Sequence, residues 1–170
     1  TLFVDLFGGS GLLSHITKSL KPHSTVIYND FDNYRFRMKH IPQTNQLLAD
    51  IREMVGNSVP RHKIIKGELR ERIFSRIEQE ENSTGYVDFI TLSSSILFSM
   101  KYKLSVQDMR KEALYNNIRK TGYPECTDYL EGLEIVSCDY KEVFNRYKDI
   151  PGVVFLVDPP YLSTDVGTYN

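Results

Sequence analysis

The N-terminal segment switches its hydrophobic period twice, and that switching limits the fold more than any other feature. LFVDLF, residues 2–7, is a continuous apolar run broken only by Asp5, and it leads directly into Gly8, Gly9, Ser10 and Gly11. A short unbroken run of this kind suits a strand covered on both faces. The next segment, LLSHITKSLKP, spaces its apolar residues for a helix that halts at Pro22. STVIYNDFDN then supplies a second strand over residues 26–28, ending on Asp30 and Asp32. Strand, glycine turn, helix and strand predict an α/β chain built on a mostly parallel sheet.

The other end of the chain repeats the pattern. GVVFLVDPPYLSTDVGTYN, residues 152–170, predicts a central strand over residues 153–157, stopped by Pro159 and Pro160, which have no N–H for a sheet ladder. LEIVSCDYKEVF, residues 133–144, predicts a third strand with Asp139 and Tyr140 at its tip, followed by a short amphipathic helix. Each of the four predicted strands thus carries an acid at or near one end: Asp5, Asp30, Asp139 and Asp158. In an open parallel sheet ligands collect outside the carboxyl ends of the strands, so the acids predict one shared pocket. The plainer reading is that each acid caps the helix that follows it.

Glycines at a strand-to-helix turn let a ligand approach the backbone, and an acid about 20 residues on can accept hydrogen bonds from ribose hydroxyls. Taken alone the turn is ambiguous. A G-x-G-x-x-G fingerprint starting at Gly9 would have Ser14 in its third glycine place. Asp30 could equally cap a helix running from about Asn33, and Asp32 is the better placed of the two for capping.

Composition sets the class. The chain has 170 residues, 41% of them apolar and 25% charged, which predicts one domain with room for an insertion. Its apolar runs are far shorter than the roughly twenty residues that cross a bilayer, so no membrane association is expected. The start lacks a charged leader, which argues against a signal peptide. Cys126 and Cys138 have no paired spacing and the four histidines are scattered, so neither a disulfide nor a metal site is expected. A cytoplasmic location fits best.

Residues 35–131 carry 16 Lys and Arg against 13 Asp and Glu, a mildly basic insertion beside an acidic remainder. Helices are predicted at 44–55, 66–80 and 105–120, with the apolar stretch 85–102 as their core. The serines in that stretch read as small interior residues. Lys and Arg clusters at 101–103, 110–111 and 119–120 could meet phosphates or could simply be a solvated face.

The motifs together carry a resemblance. DLFGGSG resembles the D-x-F-x-G-x-G signature of S-adenosylmethionine-dependent methyltransferases, through Asp5, Phe7, Gly9 and Gly11. DPPY, at Asp158, Pro159, Pro160 and Tyr161, resembles the catalytic motif of methyltransferases acting on exocyclic amino nitrogen, and SCDY resembles their third motif. In motif order the chain is similar to the Dam-type, or D12-class, N6-adenine DNA methyltransferases, many of them from phages and restriction-modification systems. The resemblance covers about residues 1–35 and 133–170.

That resemblance implies a Rossmann-like methyltransferase sheet, here incomplete with about four mostly parallel strands, formed by residues 1–34 and 132–170. Residues 35–131 would be a mainly helical insertion that reads the DNA target. It implies S-adenosylmethionine as cofactor, with Phe7, Gly9 and Gly11 around its methionine part and Asp30 on its ribose. Phe31 and Tyr140 would flank its adenine, Asp139 would accept from the adenine N6, and Asp5 would order the turn or meet the amino group. Asp158, Pro159, Pro160 and Tyr161 would be catalytic, Tyr161 giving a face to a base flipped out of double-stranded DNA.

Rivals are a methyltransferase of guanine N2 in ribosomal RNA, whose two motifs lie closer together than Asp5 and Asp158 do, and an inactive nucleic-acid-binding module of the same fold. Because the usual sheet has seven strands, the chain is expected to be a piece of an enzyme in a bacterial or phage-infected cell. Its open edge could be covered by a second copy, making a homodimer.

Overall fold

In a computed structural model of the chain, residues 1–98 and 101–159 are described. They form two compact units, one of residues 1–39 and 126–159, the other of residues 40–125. The sequence reading set these borders at 34/35 and 131/132; the helix Tyr34–Lys39 belongs with the first unit.

The first unit is the α/β, Rossmann-like sheet expected. Its elements are β1 (Leu2–Asp5), α1 (Leu12–Leu20), β2 (Thr25–Asn29) and α2 (Tyr34–Lys39). Four strands make its sheet: β1, β2, β5 (Glu134–Val136) and β6 (Val153–Leu156), with α7 (Tyr140–Tyr147) between the last two. All pairings are parallel and the order is β5-β2-β1-β6. From β1 the chain steps outward through β2 to β5, then crosses back to the far side of β1. The strand order therefore reverses between β1 and β6, where Asp5 lies opposite Leu156.

Apolar residues of the strands and of α7 make the core of this unit. Val4, Leu6, Ile27 and Val143 are buried together, with Phe155, Val136 and Tyr147 packed against them. Burying a side chain of this size contributes about 1.5–3 kcal/mol. Of the strand expected over 153–157, residues Val153–Leu156 form β6, which among the described residues pairs with β1 alone, leaving Val154 and Val157 41% and 58% exposed. A continuous apolar run signals two apolar faces; which strands stand beside it is decided by the crossover.

The second unit holds α3 (Ile41–Val55), a short strand β3 (Ile64–Ile65), α4 (Gly67–Thr84), α5 (Phe89–Ile96), a single turn α6 (Val106–Met109) and β4 (Leu114–Tyr115). Leu48, Ile51, Ile73, Phe74, Ile77, Leu92 and Met109 form its centre. Ser93 and Ser95 are buried as the sequence suggested, and Ser94 is exposed. The helix expected over 105–120 is absent beyond Met109: residues 114–115 pair antiparallel with β3 instead. No helix among the described residues is long and apolar enough to cross a membrane.

Candidate functional site at the carboxyl ends of the strands

The turn after β1 is tight. The Gly11 amide donates to the Gly8 carbonyl at 2.7 Å, and Gly9 and Gly11 hold φ of +48° and +78°. Such angles are costly for any residue with a Cβ. Gly11 starts α1, and no side chain caps that helix end. Its first amides, together with the helix dipole, thus favour an anionic group.

Tyr28 of β2 is fully buried beneath this turn. Its hydroxyl donates to the Gly9 carbonyl at 2.8 Å and also lies 3.1 Å from Asp30 Oδ1. Burial, followed by the neighbouring Asp30 charge, pushes its phenol well above the usual tyrosine range, so it stays protonated and serves only as a donor. From the other side Leu130 closes on Gly11. The segment that carries it is fastened to α1, because His15 Nδ1–H donates to the Tyr129 carbonyl at 2.7 Å and the two rings stack.

Asp5 ends β1 with no solvent exposure. Ser14 Oγ donates to its Oδ2 at 2.8 Å, while Oδ1 is buried with no hydrogen-bond partner. The departure from the glycine fingerprint is thereby explained. Ser14 is small enough for α1 to lie close to the sheet, and its hydroxyl holds the acid at the strand tip. Burial raises the Asp5 carboxyl above the usual carboxylate range; the Ser14 bond opposes that shift and the nearby Asp158 charge adds to it.

That upward shift has a testable sign. A group whose folded pKa is raised contributes stability that is fully present below its unfolded value of about 3.8 and lost as pH climbs through the folded value. Asp5→Asn, which removes the buried charge and keeps an acceptor for Ser14, is expected to be more stable than wild type at pH 7 by about 1 kcal/mol. The gain should vanish toward pH 3 in thermal melts. A gap independent of pH would contradict it.

Asp30 is buried and already engaged: its carboxylate accepts the Tyr34 amide at 2.5 Å and the Arg35 amide at 3.2 Å. Asp30 thus holds the first two amides of α2. A carboxylate has about four acceptor positions, so one remains for a ribose hydroxyl. Asp139 is an N-cap as well, accepting the Lys141 amide at 2.8 Å, yet it stays exposed. The capping reading thus holds for Asp30 and Asp139, and none of the four acids lines the concavity at the carboxyl ends of the strands.

A concavity of about 430 Å3 opens where the strand order reverses. That size falls within the roughly 300–1,000 Å3 typical of small-molecule sites. Leu6 and Phe7 line it from the end of β1, Val157 and Pro159 from the end of β6, and Tyr140, Lys141, Phe144 and Asn145 from α7. Phe7 and Tyr140 lie with ring centroids 4.8 Å apart and planes tilted by 33°. Of the residues foreseen, Phe7, Tyr140 and Pro159 meet here. Asp158 is exposed beside them, close enough to Asp5 to act on its charge. Phe31, half exposed, and Asp30 do not line this concavity. Pro160 and Tyr161 lie outside the described residues.

Four contributors were missed by sequence reasoning. Gly8, passed over for Gly9 and Gly11, has no space for a Cβ. Lys141 and Phe144 bring α7 into the wall of the pocket. Asn29 is 1% exposed and joins three strand ends: its Nδ2 donates to the Leu6 and Cys138 carbonyls at 3.0 and 2.9 Å, and its Oδ1 accepts the Cys138 amide at 3.1 Å. Its sequence signal is a polar residue at the end of an apolar strand, in YND, where the sheet stops pairing with itself.

Comparison with known proteins gives one informative likeness. The chain is 39% identical over 167 residues to a Haemophilus influenzae protein named "Putative methyltransferase", a match covering 98% of the chain and 55% of that protein. The chain thus spans about half the length of this curated relative. No family profile matches the chain, and no solved structure matches it.

Proposed function

We propose that the first unit is the cofactor-binding and catalytic half of an S-adenosylmethionine-dependent methyltransferase acting on adenine N6 in DNA. Methyl transfer in general is supported by the relative's name and by the Rossmann-like sheet. The narrower reading rests on one observation: Asp158 and Pro159 follow β6 at the point where strand order reverses, with Pro159 sharing a concavity with Leu6 and Phe7 at the end of β1.

The residues present suit the cofactor. α1 begins without a side-chain cap, and Asp5 offers a buried oxygen with an open acceptor position. A carboxylate group fits the first feature and an ammonium group the second. Phe7 and Tyr140 give aromatic faces for a flat ring, Asp139 an acceptor for its amino group, and Asp30 an acceptor for ribose. Bound there, S-adenosylmethionine supplies an electrophilic methyl group on a sulfonium that leaves as a thioether.

The chain's own task is to make an aromatic amine reactive. The lone pair of adenine N6 is delocalised into its ring. Asp158 and a main-chain carbonyl of the proline pair can accept hydrogen bonds from the two N6–H groups and draw that nitrogen toward a tetrahedral shape; as the N–C bond forms and the C–S bond breaks, one N6 proton leaves through Asp158 to solvent. Two fixed acceptors of this kind act through position and electrostatics. The prolines restrict the loop so that the acceptors keep one direction. Tyr161, by resemblance, stacks on the displaced base, an interaction of roughly 1–3 kcal/mol.

Tritiated methyl transfer to plasmid DNA and, in parallel, to ribosomal RNA, followed by nucleoside separation, tests the reading. Label in N6-methyldeoxyadenosine is the expected result. Label confined to guanine N2 of ribosomal RNA, or to no nucleoside, would overturn it.

A further inference from the structure

The second unit treats its cations in two ways. One group is neutralised: Lys101 and Lys103 pair with Glu112, Arg110 with Glu71 and Glu78, Arg76 with Asp50 and Glu80, and Lys111 with Asp108. Two of the three basic clusters visible in the sequence, at 101–103 and 110–111, are therefore already compensated. The other group gathers where β3 meets β4: Arg52, Arg61, Lys63, Arg119 and Lys120, none of which forms an ion pair with an acid among the described residues.

The convergence is built by the backbone. The His62 amide donates to the Asn116 carbonyl and the Asn116 amide to the Lys63 carbonyl, extending the pairing of β3 with β4. Arg61 Nη1 then donates to the Ile118 carbonyl, and Arg52 Nε, from α3, to the Arg119 carbonyl at 2.8 Å. Two guanidinium groups from separate elements are thus anchored on consecutive carbonyls, next to a third at Arg119 that lies over the Tyr123 ring. Each anchored group uses only one of five N–H donors for its anchor. Between them His62 holds φ of +63°, an uncommon angle for a side-chain-bearing residue, with its Nδ1 bonded to Asn117 Oδ1 at 2.9 Å. Arg61, His62, Lys63, Arg119 and Lys120 are all exposed.

Gathering like charges without acids is repulsive, by roughly 1 kcal/mol per close pair in water-like surroundings. An array of anions offsets that repulsion, and anchored guanidinium forks match phosphate oxygens better than freely moving side chains do. We infer that the Arg52, Arg61, Lys63, Arg119 and Lys120 surface of the second unit binds the phosphodiester backbone of duplex DNA. The inference rests on the reading that this protein acts on DNA, and it names the surface that holds the duplex. The sequence clusters at 101–103 and 110–111 do not.

Binding of a labelled 24-base-pair duplex, followed by anisotropy across a series of salt concentrations, is the test. Among the described residues the Lys63 and Lys120 side chains make no hydrogen bond or ion pair, so the K63A/K120A variant should fold as wild type does, which its thermal melt checks. Each lost phosphate contact lowers the slope of log affinity against log salt by about 0.9, so K63A/K120A should lose about 1.8 from that slope. R61Q/R119Q should lose a similar amount, and K101A/K111A should lose nothing. An unchanged slope in K63A/K120A, a changed slope in K101A/K111A alone, absence of duplex binding by wild type, or stronger binding of RNA of equal charge would each overturn the inference. S-adenosylhomocysteine affinity, measured alongside, separates the two ideas: patch variants that keep their slope while the cofactor binds sink only this one, whereas altered slopes without cofactor binding sink only the methyltransferase reading.

Discussion

Asp158→Ala is expected to lower methyl transfer by about 10²- to 10³-fold while leaving the thermal midpoint and S-adenosylhomocysteine affinity close to wild type. The size follows from removing one preorganised partner of a reacting group, about 2.7–4 kcal/mol of barrier. The selectivity follows from position. Asp158 is exposed, stands beyond the last paired residue of β6 and takes no part in the hydrogen bonds that hold the sheet tips. Surface substitutions of that kind usually change stability by less than about 0.5 kcal/mol. Its one evident influence inside the fold is electrostatic, on Asp5. Removing the charge should ease the upward shift of the Asp5 carboxyl and slightly reduce the pH dependence of stability. A variant that keeps wild-type turnover in single-turnover assays would show that the acid only decorates the loop.

Gly8→Ala is expected to damage the fold itself. An added Cβ would lie 2.3 Å from Tyr28 Cε2, 2.5 Å from Tyr28 Cδ2 and 2.6 Å from the Asn29 carbonyl oxygen. Neither neighbour has room to move. Tyr28 is buried with its hydroxyl bonded to the turn, and the Asn29 carbonyl belongs to a strand flanked on both sides. Overpacking of this kind costs about 3 kcal/mol. For a unit of this size that corresponds to a fall in midpoint of about 10 °C or more. Gly9→Ala should be milder, at about 1–2 kcal/mol, because its φ of +48° is costly for alanine but only the Phe7 carbonyl, at 3.8 Å, lies near the new atom. Chemical denaturation of both variants checks the ranking. Equal losses, or a larger loss at Gly9, would mean that turn conformation and not the contact with Tyr28 makes the glycine necessary.

That ranking shows what the sequence could and could not disclose. Backbone angles have a sequence signature, so Gly9 and Gly11 stood out within GGSG. A steric requirement set by a tyrosine two strand positions from the next acid has none, and Gly8 was passed over. The parallel sheet was legible because β1, β2, β5 and β6 each carry an apolar run with a breaker or an acid at the same end, and elements of one period leave few alternatives. The pairing of β6 with β1 was not legible, since a run such as VVFL does not say which strand it will lie beside.

The stretch 105–120 misled for a different reason. Val106, Met109, Leu114 and Ile118 are spaced almost as a helix would space them, and all four are buried. Only one helical turn forms, because Leu114 and Tyr115 pair with β3 and the chain beyond is held by side-chain anchors such as Arg61 on Ile118. Burial pattern survived while the local conformation changed. Charge followed the same course. Counting Lys and Arg located three basic clusters, but only the fold shows which of them pair with acids and which, among the described residues, do not.

Hydrogen–deuterium exchange of the chain with and without saturating S-adenosylhomocysteine tests the central claim most directly. Cofactor occupying the reversal of strand order should slow exchange at residues 6–14, over the glycine turn and the uncapped start of α1, and at residues 139–145, along the aromatic wall of the pocket. Slowing confined to residues 40–125, or binding without slowing at the glycine turn, would place the ligand elsewhere and contradict the account.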